Sequence, residues 1–280
     1  MDYSIIIPTY NGGLLWTKCI ESIQLQSIAP NKVVIVDSNS SDETILHAQN
    51  AGFETYLINK ENFDHGGTRT EALKYIDTEI VVFLTQDCIL ESQNSISELL
   101  NAFENSIITA VYGRQIPHLD ANPLASYARK HNYTNVSYVT SLHDKSKLGF
   151  KKVFFSNSFS AYRLDTLKSV GGFPSKLILG EDSYVAAKML IDGKKIAYQA
   201  SSCVFHSHNY TISEEFSRYF DIGVFHRSQS WIVDRFGSVE SEGIKFASNQ
   251  INELFIKRKY FWLLASCLYS LSKFLGYKLG

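Results

Sequence analysis

Cysteine is scarce in this chain: Cys19, Cys88, Cys203 and Cys267 stand far apart among 280 residues, with no CxxC pair. That spacing argues against a disulfide framework and a thiolate zinc site, and it suits a reducing compartment, the cytoplasm. Charge of one sign is lacking too. A formal net charge of -1 gives no general drive toward nucleic acid. No apolar run reaches the ~20 residues needed to cross a bilayer. The start, MDYSIIIPTYNGG, has neither the basic region nor the long apolar stretch of a signal peptide. Two nucleotide signatures are missing as well, GxxxxGK[ST] and a GxGxxG after the first strand. Their absence excludes a Walker-type ATPase and a dinucleotide oxidoreductase, so a nucleotide would have to be held by scattered loops.

What is present is a core-forming chain, 45% hydrophobic and 20% charged, long enough for one large domain or a domain with an appendage. Short apolar runs alternate with helical patterns. YSIIIPTYN reads as strand and loop, followed by Trp16, Cys19, Ile20 and Ile23 at helical spacing. Val33 to Val36 read as a buried strand, with Ser40 and Glu43 as a capping box and Gly52 ending the helix. A third unit has TYLI at 55–58, a glycine-containing loop, a helix from Thr70 to Tyr75 and the run IVVFL at 80–84. Farther on, AVYG and KVFF suggest strands, and a helix from Ser183 to Ile191 is closed by Gly193. Alternation of this kind predicts an α/β fold with a mainly parallel central sheet and flanking helices. Ligands of such sheets sit beyond the carboxyl ends of the strands, which here carry PTYN, DSNSSD, NFDHGGTR and TQDC.

Four segments in this order, IIIPTYN, VVIVDSNSSDET, FLTQDC and GGFPSKLILGEDSYVAAKML, resemble the inverting family 2 glycosyltransferases of GT-A fold. NFDHGGTR, TQDC and HSHNYT, followed by RYFDIGVFH, are similar to bacterial rhamnosyltransferases that use dTDP-L-rhamnose. The resemblance implies an enzyme that moves L-rhamnose to a saccharide acceptor in surface polysaccharide synthesis. It also implies a donor site of Thr9, Tyr10 and Asn11 after the first strand, Asp37 on base or ribose, Gln86 near the donor, and Arg69 on phosphates or base. Asp64 and His65 become candidates for donor selectivity, and Gly67 joins the nucleotide-sugar site, it and Gly66 allowing positive φ or close backbone approach. Read alone, Asp37 could cap a turn, Arg69 could be a surface charge and His65 could bond a neighbouring carbonyl.

Glu181 and Asp182 precede a helix, where the dipole favours a carboxylate. The family's base, which takes the acceptor's proton, maps onto Asp182, with Glu181 orienting it or binding acceptor; simple N-capping is the plain alternative. Thr85 stands where the family often has a first carboxylate, leaving Asp87 and His206 as metal ligands for Mg²⁺ or Mn²⁺. His208 would orient a loop or touch pyrophosphate.

Residues 1–212 are expected to form the catalytic domain and 213–280 a helical C-terminal extension. From Leu254 on there are no acids, while Lys257, Arg258, Lys259, Lys273 and Lys278 are basic. Phe261, Leu264, Leu268, Leu271 and Leu275 recur at helical spacing. Such a helix either lies on the inner face of the cell membrane, where a lipid-linked acceptor would be met, or packs on the catalytic domain or on another subunit of a homo-oligomer. Two competing functions stay open: a UDP-sugar-dependent transferase of the same fold, and a non-catalytic GT-A-like binding module.

Overall fold

A computed structural model describes residues 1–144, 149–237 and 240–280. Its strands are β1 (Tyr3–Thr9), β2 (Lys32–Asp37), β3 (Glu54–Leu57), β4 (Ile80–Leu84), β5 (Ile89–Leu90), β6 (Ile108–Ile116), β7 (Tyr138–Thr140), β8 (Phe159–Arg163) and β9 (Lys195–Phe205). They form one sheet in the order β3-β2-β1-β4-β8-β6-β9-β5, with β7 paired to β9. Strands β1, β2, β3, β4, β6 and β9 run in one direction, whereas β8, β5 and β7 run against them.

Eleven α-helices cover the described residues: α1 (Gly13–Gln24), α2 (Thr44–Asn50), α3 (His65–Ala72), α4 (Ser95–Leu100), α5 (Pro123–Asn132), α6 (Leu164–Ser169), α7 (Glu181–Ile191), α8 (Ile212–Ser228), α9 (Ser230–Phe236), α10 (Glu240–Ile256) and α11 (Tyr260–Leu279). The central strands are apolar on both faces because helices cover both. Ile6, Val34, Val81 and Phe83 enter one core layer with Val185, Met189 and Leu190 of α7. Ile5, Ile7, Ile35 and Val82 enter the other with Trp16, Ile20 and Ile23 of α1. Pro8 lies past the last β1–β4 pair, Ile6 with Phe83, so its missing N–H breaks no bond to β4.

Three local expectations change. Ser40 does not cap α2: its hydroxyl donates to Asp37, and Asp42 instead accepts from Thr44, so the helix starts later than a box at Ser40 requires. The helix after β3 begins at His65, not Thr70, and the stretch from Leu73 to Tyr75 tightens to a 3₁₀ turn. Gly66 and Gly67 are therefore helical, with no positive φ at either. A Cβ on Gly66 would lie 1.9 Å from the Pro174 carbonyl oxygen, so this glycine serves close approach of α3 to the loop before α7. KVFF is not a strand: a 3₁₀ segment Gly149–Val153 leads into Phe154 and Phe155, which pack on Tyr112, Tyr133 and Tyr162.

Candidate active site

Because six strands share one direction, their carboxyl ends meet along a single edge of the sheet, and the chain places its polar residues there. Thr9, Asp37 and Leu84 end β1, β2 and β4; Ile116 and Phe205 end β6 and β9. Antiparallel β8 starts at the same edge, so Asn157 and Ser158 join it. The β6–β9 ladder slips between Gly113 and Arg114, whose partners jump from Gln199 to Cys203, a bulge that re-aims the last residues of β9. The backbone N–H of His206 then donates to the Ile116 carbonyl at 2.9 Å.

Around His206 a donor set gathers. Its Nε2 lies 3.3 Å from Asp87 Oδ2 and 3.1 Å from His208 Nε2, and His208 Nε2 lies 3.6 Å from the same Asp87 oxygen. On the far side of the ring, His206 Nδ1 is 2.9 Å from Gln115 Oε1. The orientation of that amide is fixed twice, because Gln115 Nε2 donates to Ser156 Oγ and Arg129 donates to Gln115 Oε1. A carbonyl oxygen only accepts, so His206 donates from Nδ1 to Gln115, which turns its Nε2 toward Asp87. Burial by itself would raise the Asp87 pKa; the hydrogen bond and charge of His206, the Thr85 hydroxyl and His208 outweigh it and hold the carboxyl well below the usual range. Burial and the nearby His206 lower His208 to about 4, so it presents a neutral ring.

One carboxylate and two imidazoles whose ligand atoms lie 3.1 to 3.6 Å apart fit a divalent cation. Cys88 Sγ lies beside them, within 4.8 Å of the ligand atoms of Asp87 and His206. Burial pushes its thiol well above its ordinary pKa and leaves it a neutral, soft donor, poorly matched to an oxygen-seeking ion.

The second carboxylate centre is built by α7. Gly180, at φ 82°, turns the chain into the helix, and a Cβ there would sit 2.8 Å from the Phe225 ring. Glu181 and Asp182 follow in the first turn. Glu181 is buried and pairs with Arg69 of α3 at 3.1 Å, while Arg69 also donates to the His65 carbonyl at 2.8 Å. Arg69 is thus buried, 4% exposed, and not the surface charge it could have been. Asp182 accepts from the backbone N–H groups of Ser183 at 2.7 Å and Asn157 at 3.2 Å, which ties it to the β8 end of the crevice. Burial, then the like charge of Glu181, raise its pKa to about 7 against the pull of those two N–H groups and Arg69. A carboxyl poised there can take up a proton near neutral pH. Asp182 is not the N-cap, since Gly180 occupies that position.

The remaining predicted residues divide. Thr9 and Asp37 are bonded to each other at 2.7 Å, and Asp37 also accepts from the Ser40 N–H and hydroxyl, so, fully buried, it organises the loop at the end of β2. Asn11, at φ 46°, donates its N–H to Ser40 Oγ and accepts from the Ser41 N–H. Gln86 bonds both the N–H and the carbonyl of Tyr10, clamping the β1 loop to the β4 end. The exposed Tyr10 ring receives Lys60, whose Nζ donates to its hydroxyl at 2.9 Å. Asp64 caps α3 through the Gly67 N–H and accepts from the Lys176 N–H at 2.7 Å, so with Gly67 it anchors the loop before α7; His65 is exposed.

Sequence reading missed Gln115, Arg129, Asn157 and Lys60. His118 was missed too; it stacks on Phe205, with a buried Nε2 that finds no partner among the described residues. A usable signal existed for Gln115: with Arg114 it brings polar residues into the carboxyl end of an otherwise apolar strand, as Asp37 does at the end of β2.

Known proteins resemble this chain over its full length. The model of Glycosyl transferase family 2 matches residues 4–171. The O-antigen chain rhamnosyltransferase RfbN of Salmonella typhimurium is 47% identical over 100% of this chain and 90% of its own length. WbaN of Salmonella anatum, also an O-antigen chain rhamnosyltransferase, is 44% identical over 100% of this chain and 89% of its own. In fold, the chain is similar to the mannosyltransferase PcManGT of Pyrobaculum calidifontis, solved with GDP-Man and Mn²⁺. The TM-score is 0.66 at 15% identity, covering 98% of this chain and 86% of that one. With a crevice at the strand ends, a GT-A-like sheet and full-length relatives that transfer sugars, the chain belongs to the family 2 glycosyltransferases and is a glycosyltransferase itself.

Proposed function

We propose that the enzyme transfers L-rhamnose from dTDP-L-rhamnose to a saccharide acceptor of a bacterial surface polysaccharide, inverting the anomeric carbon. The observation that carries the sugar assignment is likeness over the full chain to two O-antigen chain rhamnosyltransferases. The geometry supports the division of labour. The acceptor hydroxyl attacks the anomeric carbon while Asp182 takes its proton, the carbon–oxygen bond to the diphosphate breaks, and dTDP leaves with the electron pair. Glu181, held by Arg69, sets the charge that keeps Asp182 basic enough for this task.

Asp87 and His206, joined by His208, would hold Mg²⁺ or Mn²⁺, which when bound supplies Lewis-acid neutralisation of the departing diphosphate. Gln115 keeps His206 Nε2 turned toward that position. On the base side, Asp37 is fully buried and accepts three hydrogen bonds, so it holds the loop that the nucleoside would meet. Tyr10, steadied by Gln86 and Lys60, offers an aromatic face beside it, with Thr9 and Asn11 shaping the loop. Exposed His65 is the residue of its motif available to contact the donor. The free cysteines, Cys267 exposed among them, suit a cytoplasmic setting.

A donor-turnover assay over a panel of nucleotide sugars with Mn²⁺ tests the proposal. Release of dTDP from dTDP-L-rhamnose is expected. Turnover of UDP-sugars with dTDP-L-rhamnose inert would overturn the donor assignment.

A further inference from the structure

Helix α11 packs the wrong way round for a helix of a soluble core. Its buried positions are small, Ser266, Ser272 and Gly276. They let it approach α8 at backbone distance: a Cβ on Gly276 would lie 2.5 Å from the Phe216 carbonyl oxygen, and one on Gly223 2.4 Å from that of Tyr277. Polar bonds complete the joint, from Tyr269 Oη to the Tyr210 carbonyl and Ser272 Oγ to the Ile212 carbonyl, both at 3.0 Å, and from Lys273 to Glu215 at 3.1 Å.

The large apolar side chains face outward instead. Phe261 is 74% exposed and Leu264 69%, and Leu268, Leu271, Phe274 and Leu275 continue the row. A helix of this length runs about 30 Å, so the patch is far larger than the scattered apolar residues of an ordinary surface. Among the described residues no helix is long and apolar enough to cross a membrane.

At the amino end of this row the surface becomes cationic. Lys257, Arg258 and Lys259 are exposed beside the exposed Phe255 and Ile256. Next to them opens a cavity of about 170 Å³, lined by Pro123, Tyr127, Lys130, Glu253, Lys257 and Lys259. Glu253 is paired with Lys257, and it is the only acid against three lysines in the lining.

We infer that α11 and this lysine-lined cavity form a docking surface for an anionic phospholipid bilayer. The helix lies in the interface with its leucines among the acyl chains and its basic end among the headgroups. Charge argues against a second copy of the chain as occupant. A two-fold pair of this helix brings basic residues together whichever way it runs, the Lys257–Lys259 cluster meeting its own copy if parallel and the end that carries Lys273 and Lys278 if antiparallel, and no acid exists from Leu254 onward to answer it. The surface is also coupled to the crevice, because Tyr210, which accepts from Tyr269, stacks on His208 with ring centroids 5.0 Å apart. Docking therefore holds the His206–His208 end of the site near the bilayer. This inference goes beyond the transfer reaction and is independent of the donor's identity.

The test is co-sedimentation of the full chain with phosphatidylcholine vesicles, with and without phosphatidylglycerol. Binding at least about tenfold tighter to the anionic vesicles is expected, and it should weaken as salt rises. Leu264→Glu with Leu268→Glu should abolish capture while leaving thermal unfolding and donor turnover intact, since both side chains are exposed. Lys257→Gln with Lys259→Gln should remove the preference for anionic lipid. A chain that stays in the supernatant with anionic vesicles would overturn the inference. So would capture unaffected by the leucine changes, or a concentration-dependent dimer that those changes break while vesicles capture nothing.

Discussion

Two ends of one crevice carry the same residue type and treat it in opposite ways. Both Asp87 and Asp182 pay desolvation that favours the neutral acid. At Asp87 the neighbours are His206, His208 and the Thr85 hydroxyl, and they more than cancel it. At Asp182 the strongest neighbour is Glu181, which adds to it. The outcome is a carboxylate that stays charged at one end and a carboxyl that exchanges a proton near neutrality at the other. Separation of this kind lets two aspartates serve as ion holder and base in one reaction.

The comparison breaks most visibly at Asp182. Asp182→Asn should lower kcat by about 10³-fold, with the donor Kd, measured by titration, unchanged. Loss of donor affinity with little change in kcat would place Asp182 in binding instead. At the other end, Asp87→Asn removes the only carboxylate of the donor set. The Mn²⁺ concentration for half-maximal activity should rise by about 100-fold, whereas Asp182→Asn should leave metal affinity alone. A smaller effect is expected from Gln115→Leu, which frees the His206 tautomer without touching the ion position: metal affinity should weaken by about 10-fold. Thermal unfolding checks that this variant keeps its fold.

Much of this crevice was legible because each buried strand is a run of β-branched or apolar residues that stops at a polar one. Ile5–Ile7 stops at Thr9 beyond Pro8, Val33–Val36 at Asp37, and Val81–Leu84 at the TQD segment. The α/β order and the shared edge follow from that pattern. Gln115 and His206 were harder to join, for they lie 91 residues apart and meet only because β6 and β9 pair across a bulge. Tertiary packing also overrode local preference. Glycine propensity suggests a loop at HGG, yet Gly66 is the residue that lets α3 touch Pro174. KVFF is apolar enough for a strand, but Phe154 and Phe155 are drawn into an aromatic cluster that no ladder serves. In α11 the period is plain, and which face is buried is not, since small residues pack as firmly against α8 as leucines would elsewhere.

The dependence of kcat on pH, at saturating donor, acceptor and Mn²⁺, tests the central claim most directly when the parent enzyme is compared with Glu181→Gln. A protonated Asp182 cannot accept the acceptor's proton, so activity should fall as pH drops through about 7. Glu181→Gln keeps an oxygen for Arg69 but removes the like charge, and the acid limb should move to lower pH. An acid limb at the same pH in both proteins, or none at all through the acid range, would contradict the assignment of Asp182 as the base.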